Sequence, residues 1–187
     1  MTDEISFAGE AAARKQKFLG GMSLAACTVN IVTTDGPAGR FGVTVSAMSS
    51  VSADGERPTL LVCVHHLSPA AQAIIENGVF AVNVLRDSQT EISDTFAGRI
   101  KRADGDKFRC TRWRSGATGA PYAEESLVAF DCRVSSVHKV GTHHVFIGAV
   151  EDIHAAGNGT PLLYSSRGYG RPSPLPPSPA GNLSCNP

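Results

Sequence analysis

The chain has 187 residues, 42% of them hydrophobic and 18% charged, and its 17 basic and 17 acidic side chains cancel. That composition suits one soluble domain with a core of its own, and the charge balance gives no pull toward nucleic acid or an anionic membrane. No apolar run approaches the roughly 18 residues of a membrane helix. The N-terminus lacks a signal-type apolar core, and five scattered cysteines without a CxxC pair argue against a disulfide framework or a zinc knuckle. The expected location is the cytoplasm.

Residues from about 3 to 20 read as an amphipathic helix with Ala11, Ala12, Phe18, Leu19 and Met22 as its apolar set and Gly20-Gly21 as its stop. A β-branched run, Cys27 to Thr34, and the turn cluster DGPAGR lead into FGVTVSAMSSVS, Phe41 to Ser52, so the first two strands read as a hairpin. In the second strand Val43, Val45, Ala47, Ser49 and Val51 alternate with Thr44, Ser46, Met48, Ser50 and Ser52. That is the period of a strand with one face on a core. The hydroxyl-rich other face reads either as a plain exposed strand, since Thr favours strands, or as a shelf where a flat or charged ligand comes close to the backbone.

TLLVCVHH, Thr59 to His66, is nearly all apolar and predicts a strand covered on both faces. Ser68 and Pro69 read as the N-cap and first residue of a helix that stops at Gly78. Val79 to Leu85 is a further strand. Ser88 to Glu91 reads as a capping box before a short helix that carries Ile92 and Phe96 and ends at Gly98. Residues 99–120 predict a long basic loop anchored by Trp113, followed by two long strands around the Gly141-Thr142 turn and a short one in TPLLYSS. From Arg171 the chain carries Pro172, Pro174, Pro176, Pro177, Pro179 and Pro187, which predicts a disordered or extended tail over 171–187 behind a domain of residues 1–170. Strands dominate without regular helix alternation, and there is no GxGxxG or P-loop, so a barrel or sandwich is expected.

Six histidines stand out: His65, His66, His138, His143, His144 and His154. Neighbouring side chains on a strand point to opposite faces, and no HExxH is present, so no metal site is expected. The absence of GxSxG, with Cys27, Cys63 and Cys132 placed as small apolar fillers in strands, argues against a hydrolase.

The stretches FGVTVSAMSSVS, PTLLVCVHHLS, GVFAVNVL, SDTFAGR, GTHHVFIGAV and PLLY, in that order over about residues 14 to 170, resemble the flavin reductase-like family. Its members are small reductase components of two-component flavin monooxygenases, with pyrimidine-utilisation flavin reductases and corrin reductases of cobalamin synthesis as relatives. The resemblance implies a mainly β, Greek-key split barrel that acts as a homodimer and holds FMN or FAD near the subunit interface. It also implies flavin reduction by NADH or NADPH and supply of the reduced flavin to a flavin-dependent monooxygenase partner. By the same resemblance Gly42, Thr44, Val45, Ser46, Ala47, Ser49 and Ser50 line the flavin, their backbone amides meeting the ring and their hydroxyls the ribityl chain or phosphate. Cys63, Val64 and His65 run beside it. Ser68 is an anion site at a helix N-terminus as well as an N-cap. Phe96 packs near the ring or in the core, and Arg99 meets a phosphate. His143 falls at the histidine of the family's Gly-Asp-His turn, facing nicotinamide and flavin. Thr142 stands where that turn has Asp, so the histidine is hydrogen-bonded here rather than paired with a charge, and Glu56-Arg57-Pro58 replaces the usual Pro-Pro. Two other readings stay open: an enzyme that keeps its flavin and reduces a cobalt corrin, and a flavin-binding electron carrier without nicotinamide turnover.

Overall fold

Helix α1, Thr2–Leu24, opens the fold in a computed structural model that describes residues 2–176; the remainder of the proline-rich tail, 177–187, lies outside the described residues. The helix runs through Gly20-Gly21 rather than stopping there. Each glycine lowers helix stability by about 1 kcal/mol without forbidding the helix, and the end comes at Leu24, where the Ser166 N–H bonds the Ser23 carbonyl.

The predicted strand 27–34 divides into β1 (Cys27–Thr28) and β2 (Asn30–Thr34). Val29 separates them because its N–H bonds the Leu162 carbonyl and its own carbonyl accepts from Leu85. β1 joins a small sheet with β11 (Leu163–Ser165) and β12 (Gly168–Gly170), whereas β2, buried throughout, joins the main sheet.

The main sheet has seven antiparallel strands in the order β3 (Phe41–Val45), β2, β6 (Val79–Val84), β9 (Val128–Val140), β10 (His143–Ala155), β5 (Thr59–His65) and β4 (Met48–Ser52). β3 and β4 are consecutive in the chain yet occupy opposite edges. The sheet therefore curls into a split barrel of Greek-key type, and the chain crosses from edge to edge at Ser46-Ala47, where the Cys63 N–H bonds the Ala47 carbonyl at 3.2 Å. This corrects the single strand expected over 41–52. The break also resets the alternation: Met48 packs inward on the core, and Val51, expected inside, is 51% exposed.

Inside the barrel Val32, Val62, Val64, Ile74, Phe80, Val82 and Phe146 form one buried cluster. Helix α2 (Pro69–Asn77) covers one end with Ala70, Ala71, Ala73 and Ile74, and stops at Gly78, whose φ of 70° suits glycine. Helix α3 (Thr90–Phe96) closes a second cluster with Val29, Ile31, Leu85, Ile92, Phe96 and Leu162. The expected capping box does not form. Gln89 is the N-cap, and its side chain turns away to accept from the Arg86 N–H and donate to the Glu125 carbonyl.

The expected long loop contains a 3-10 turn, Lys107–Cys110, and a hairpin of β7 (Trp113–Ser115) with β8 (Pro121–Ala123). Trp113 anchors it: the indole packs edge-on to Phe96 and Phe108 and donates to the Phe108 carbonyl at 2.8 Å. The fully buried Asp131 clamps the hairpin turn by accepting from the Thr118 N–H and hydroxyl.

Candidate functional site

Where β3 ends, a cleft of about 180 Å³ opens between Thr44, Val45 and Ser46 on one side and Ser93, Arg99 and Tyr169 on the other. Thr44 is already committed: its hydroxyl donates to the Ser93 carbonyl at 2.7 Å and ties β3 to α3. Arg99 donates to Asp94 Oδ1 at 2.9 Å and to the Tyr169 hydroxyl at 3.1 Å. Tyr169 in turn donates to Asp94 Oδ1 at 2.7 Å and lies 2.9 Å from Ser93 Oγ. The Tyr169 hydroxyl, reinforced by Arg99, holds the Asp94 carboxyl below its ordinary value, and the carboxylate in return raises the Arg99 guanidinium. Arg99 therefore enters the cleft with its charge balanced.

At the lip of the cleft the crossover leaves Ser46 and Ala47 exposed. Among the described residues, their two backbone N–H groups find no acceptor within the chain. The Ala47–Cys63 bond joins this lip to β5 two residues before His65. There three imidazoles meet. His143 lies opposite His65 in the β5–β10 register, with ring centroids 5.0 Å apart and edge to face. His66 stacks on His65 at 4.8 Å. Strand alternation does not separate the adjacent pair as expected, because β5 ends at His65. Thr142 organises the group: its carbonyl accepts from His66 Nδ1 at 2.7 Å and its hydroxyl lies 3.1 Å from His143 Nδ1. The Leu67 N–H donates to His65 Nδ1 at 3.2 Å. Lost solvent, and then the neighbouring His66 and His143, lower the His65 pKa from its ordinary value.

The other expected residues fall elsewhere. Val64 turns its side chain into the barrel core, 1% exposed, so only its backbone can face a ligand. Cys63 shares the outer face of β5 with His65, and burial raises its thiol; Cys132, in the core, is pushed up to about 12. Burial thus favours the protonated thiol at both positions, the less nucleophilic form. Phe96 is buried, and its ring fills the space above Gly42: a Cβ there would lie 2.5 Å from Phe96 Cε1. Gly42 and Ser68 instead line a second cleft of about 320 Å³, together with Arg40 and Lys107. Ser68 caps α2 by backbone position, but its hydroxyl makes no capping bond. Ser49 and Ser50 are exposed on β4, where Ser50 borders a separate apolar groove with Val51 and Ile153. They do not join Thr44 and Ser46.

Sequence reasoning missed Asp94, Tyr169, Arg40 and Lys107. SDTFAGR carries Asp94 five residues before Arg99, a spacing that one helical turn and a stop bring together. Nothing local signalled Tyr169, which arrives on β12. Among the described residues no group of three or more His, Cys, Asp or Glu could hold a metal ion, and no helix is long and apolar enough to cross a membrane.

Residues 22–173 match the flavin reductase like domain family. The chain is 42% identical over 155 residues to the FMN reductase (NADH) RutF of Escherichia coli K12, covering 83% of this chain and 92% of that one. Among solved structures it resembles nitrilotriacetate monooxygenase component B from Mycobacterium thermoresistibile, with TM-score 0.79, 27% identity, and 94% and 96% of the two chains covered. It also resembles BorF, the flavin reductase component of a bacterial two-component tryptophan halogenase, with TM-score 0.75, 28% identity, and 84% and 97% covered. With its split barrel, the cleft beside the β3–β4 crossover and a family match that spans most of its length, the chain belongs to the flavin reductase like family.

Proposed function

We propose that the protein is an NADH-preferring FMN reductase whose flavin ring lies along the Ser46-Ala47 crossover, between the Arg99 cleft and the three imidazoles. The observation that carries this reading is the pair of exposed, acceptor-free amides at that crossover. Two adjacent N–H donors on a small-residue backbone fit the carbonyl and nitrogen edge of an isoalloxazine. The names of the relatives support FMN and NADH.

Bound flavin would supply the hydride acceptor. The chain's own residues do the rest. The amides orient the ring. The neutral network of Arg99, Asp94 and Tyr169 offers hydrogen bonds to a polyol. A phosphate is better placed at the second cleft, which Arg40, Lys107 and Ser68 line, than beside Arg99, whose partner Asp94 would repel it. This revises the phosphate role expected for Arg99. His143, turned toward His65 by Thr142, sits where an imidazole can bond the nicotinamide amide or meet charge gathering on the reduced ring. We further assign the chain to the cytoplasm as a homodimer that supplies reduced flavin to a monooxygenase partner, with residues 1–170 as the working domain. The reductase components among its structural neighbours support the partner class.

The test is anaerobic. Purified protein is mixed with excess FMN and NADH while flavin bleaching and NADH loss are followed together. Many turnovers of free FMN, lost in His143→Ala, are expected. Tight flavin without NADH or NADPH oxidation would leave the electron-carrier reading, and oxidation that requires added cobalt corrin would leave the corrin reductase.

A further inference from the structure

The three imidazoles on the β5–β10 wall do not hold equal places. His65 and His143 are exposed, whereas His66 is half-buried. The His66 ring stacks on His65, with planes 19° apart, and its Nδ1 reaches the Thr142 carbonyl at 2.7 Å. A carbonyl can only accept, so His66 carries a proton on Nδ1. The His66 main-chain N–H donates to the same oxygen at 2.9 Å. One residue therefore supplies two donors to one carbonyl, which has two lone pairs to offer. His65 takes the opposite tautomer. Its Nδ1 accepts from the Leu67 N–H at 3.2 Å, so neutral His65 carries its proton on Nε2.

What His66 grips is a turn. Only Gly141 and Thr142 join β9 to β10, and Val140 pairs with His143 across them. Gly141 has a φ of 56°, the left-handed conformation that a two-residue hairpin turn needs at its first position. Gly141, Thr142 and His143 are all exposed, so packing does little to restrain the tip. The Thr142 carbonyl belongs to the planar peptide unit that joins Thr142 to His143. Two donors on that oxygen fix the plane, and with it the direction in which both side chains leave. The Thr142 hydroxyl then lies 3.1 Å from His143 Nδ1, a bond that orients the ring and sets which nitrogen holds the proton. We infer that His66 is a positioning residue: it holds the Thr142–His143 peptide plane with its ring and main-chain N–H groups, and so aims the His143 imidazole into the flavin site without itself touching a ligand. This rests on the role proposed above for His143 and names what sets it.

Two variants separate the donor from the ring. His66→Phe keeps an aromatic ring against His65 and loses the Nδ1–H. His66→Asn loses the ring and keeps an amide N–H close to the place of Nδ1. In anaerobic turnover of FMN with NADH, His66→Phe should lower kcat about fivefold and leave the KM for FMN within a factor of about two. The main-chain bond survives in every variant, so the loss is smaller than that of removing His143 itself. His66→Asn should recover all but about twofold of kcat. Added to His143→Ala, His66→Phe should cost nothing more, because the residue it positions is gone. A further loss in that double variant, or an Asn variant no better than Phe, would overturn the positioning role. Histidine-selective 15N NMR of the ligand-free full chain reads the contact without turnover. His66 protonated on Nδ1 and His143 in a single tautomer are expected, with the His143 tautomers averaged in His66→Phe. His66 protonated on Nε2 alone, or a His143 signal indifferent to His66→Phe, would overturn the inference whatever the kinetics. A kcat that survives His143→Ala would instead remove the role proposed for His143, and the NMR arm would still decide whether His66 sets its ring.

Discussion

The two walls of the proposed site are built on opposite electrostatic plans. On the α3 wall every charge has its partner in the chain: Asp94 balances Arg99, and Tyr169 joins both. On the β5–β10 wall three imidazoles crowd together with only Thr142 and the Leu67 N–H to organise them. A wall already neutral is suited to position and gains little from a change in the ligand's charge. A wall of uncompensated, titratable rings responds to charge that appears during reaction. The first should therefore set affinity and the second should set rate. Removing one side chain from each wall tests that division.

The largest effect is expected at His143. His143→Ala should lower kcat with NADH by about a hundredfold and leave the KM for FMN within a factor of about two. Steady-state kinetics under nitrogen check it. A rise in KM with kcat intact would reverse the roles of the walls.

Next comes Asp94→Asn. With its counter-charge gone, Arg99 loses the geometry that Tyr169 and Asp94 impose. Because Arg99 is more than half exposed, the loss is modest. The KM for FMN should rise about fivefold at constant kcat. Riboflavin, which lacks the phosphate, makes the test sharper. Equal losses for FMN and riboflavin fit a cleft that holds the polyol. A lower KM for FMN alone would return the phosphate to Arg99.

The walls should also differ in pH dependence. An unfolded imidazole titrates near 6.5, and folded His65 titrates lower. As acid is added the unfolded chain takes the proton first. The His65 contribution to stability is thus complete above 6.5 and is lost progressively as pH falls toward the folded value. Asp94, lowered from 3.8, contributes stability above that value and loses it only at stronger acidity, as pH falls through its folded value. The melting temperature should therefore begin to fall below pH 6.5, and His65→Gln should flatten that first slope while leaving the steeper loss in strong acid. An unaltered slope in His65→Gln would sink the crowded-imidazole account.

This contrast also marks what could be read from the chain itself. The flanks of the site were legible. Ser68, Pro69 and Gly78 announce α2 by local chemistry, and the apolar run of β5 leads directly to the histidines. Trp113 was legible as an anchor because a lone indole in a polar stretch has little else to do. The crossover was not. Alternation continues through Ser46-Ala47 without a proline, a glycine or a charge, and the break follows from barrel closure, which is a property of seven strands and not of twelve residues. The capping box failed for a related reason: Gln89 finds the Arg86 N–H and the Glu125 carbonyl only once β6 and β9 have delivered them. Tyr169 was invisible because its hydrogen-bond partners lie seventy or more residues back.

Tyr169→Phe is expected to give the smallest effect. The ring stays, so its packing with Tyr164 at 5.6 Å and its place beside the Arg99 guanidinium are kept. Only the hydroxyl is lost, and with it the largest influence holding the Asp94 carboxyl low. Asp94 keeps Arg99, and Ser93 Oγ can turn to water. The KM for FMN should rise about two- to threefold with kcat unchanged, near the lower end for an ordinary lost hydrogen bond, because Asp94 and Arg99 keep each other. The acid limb of the stability profile should shift to slightly higher pH, because Asp94 then protonates sooner. Both readouts come from one variant and move for one reason. A change in kcat without the acid shift would mean that the Tyr169 hydroxyl takes part in turnover directly, and the wall assigned to position would also serve the reaction.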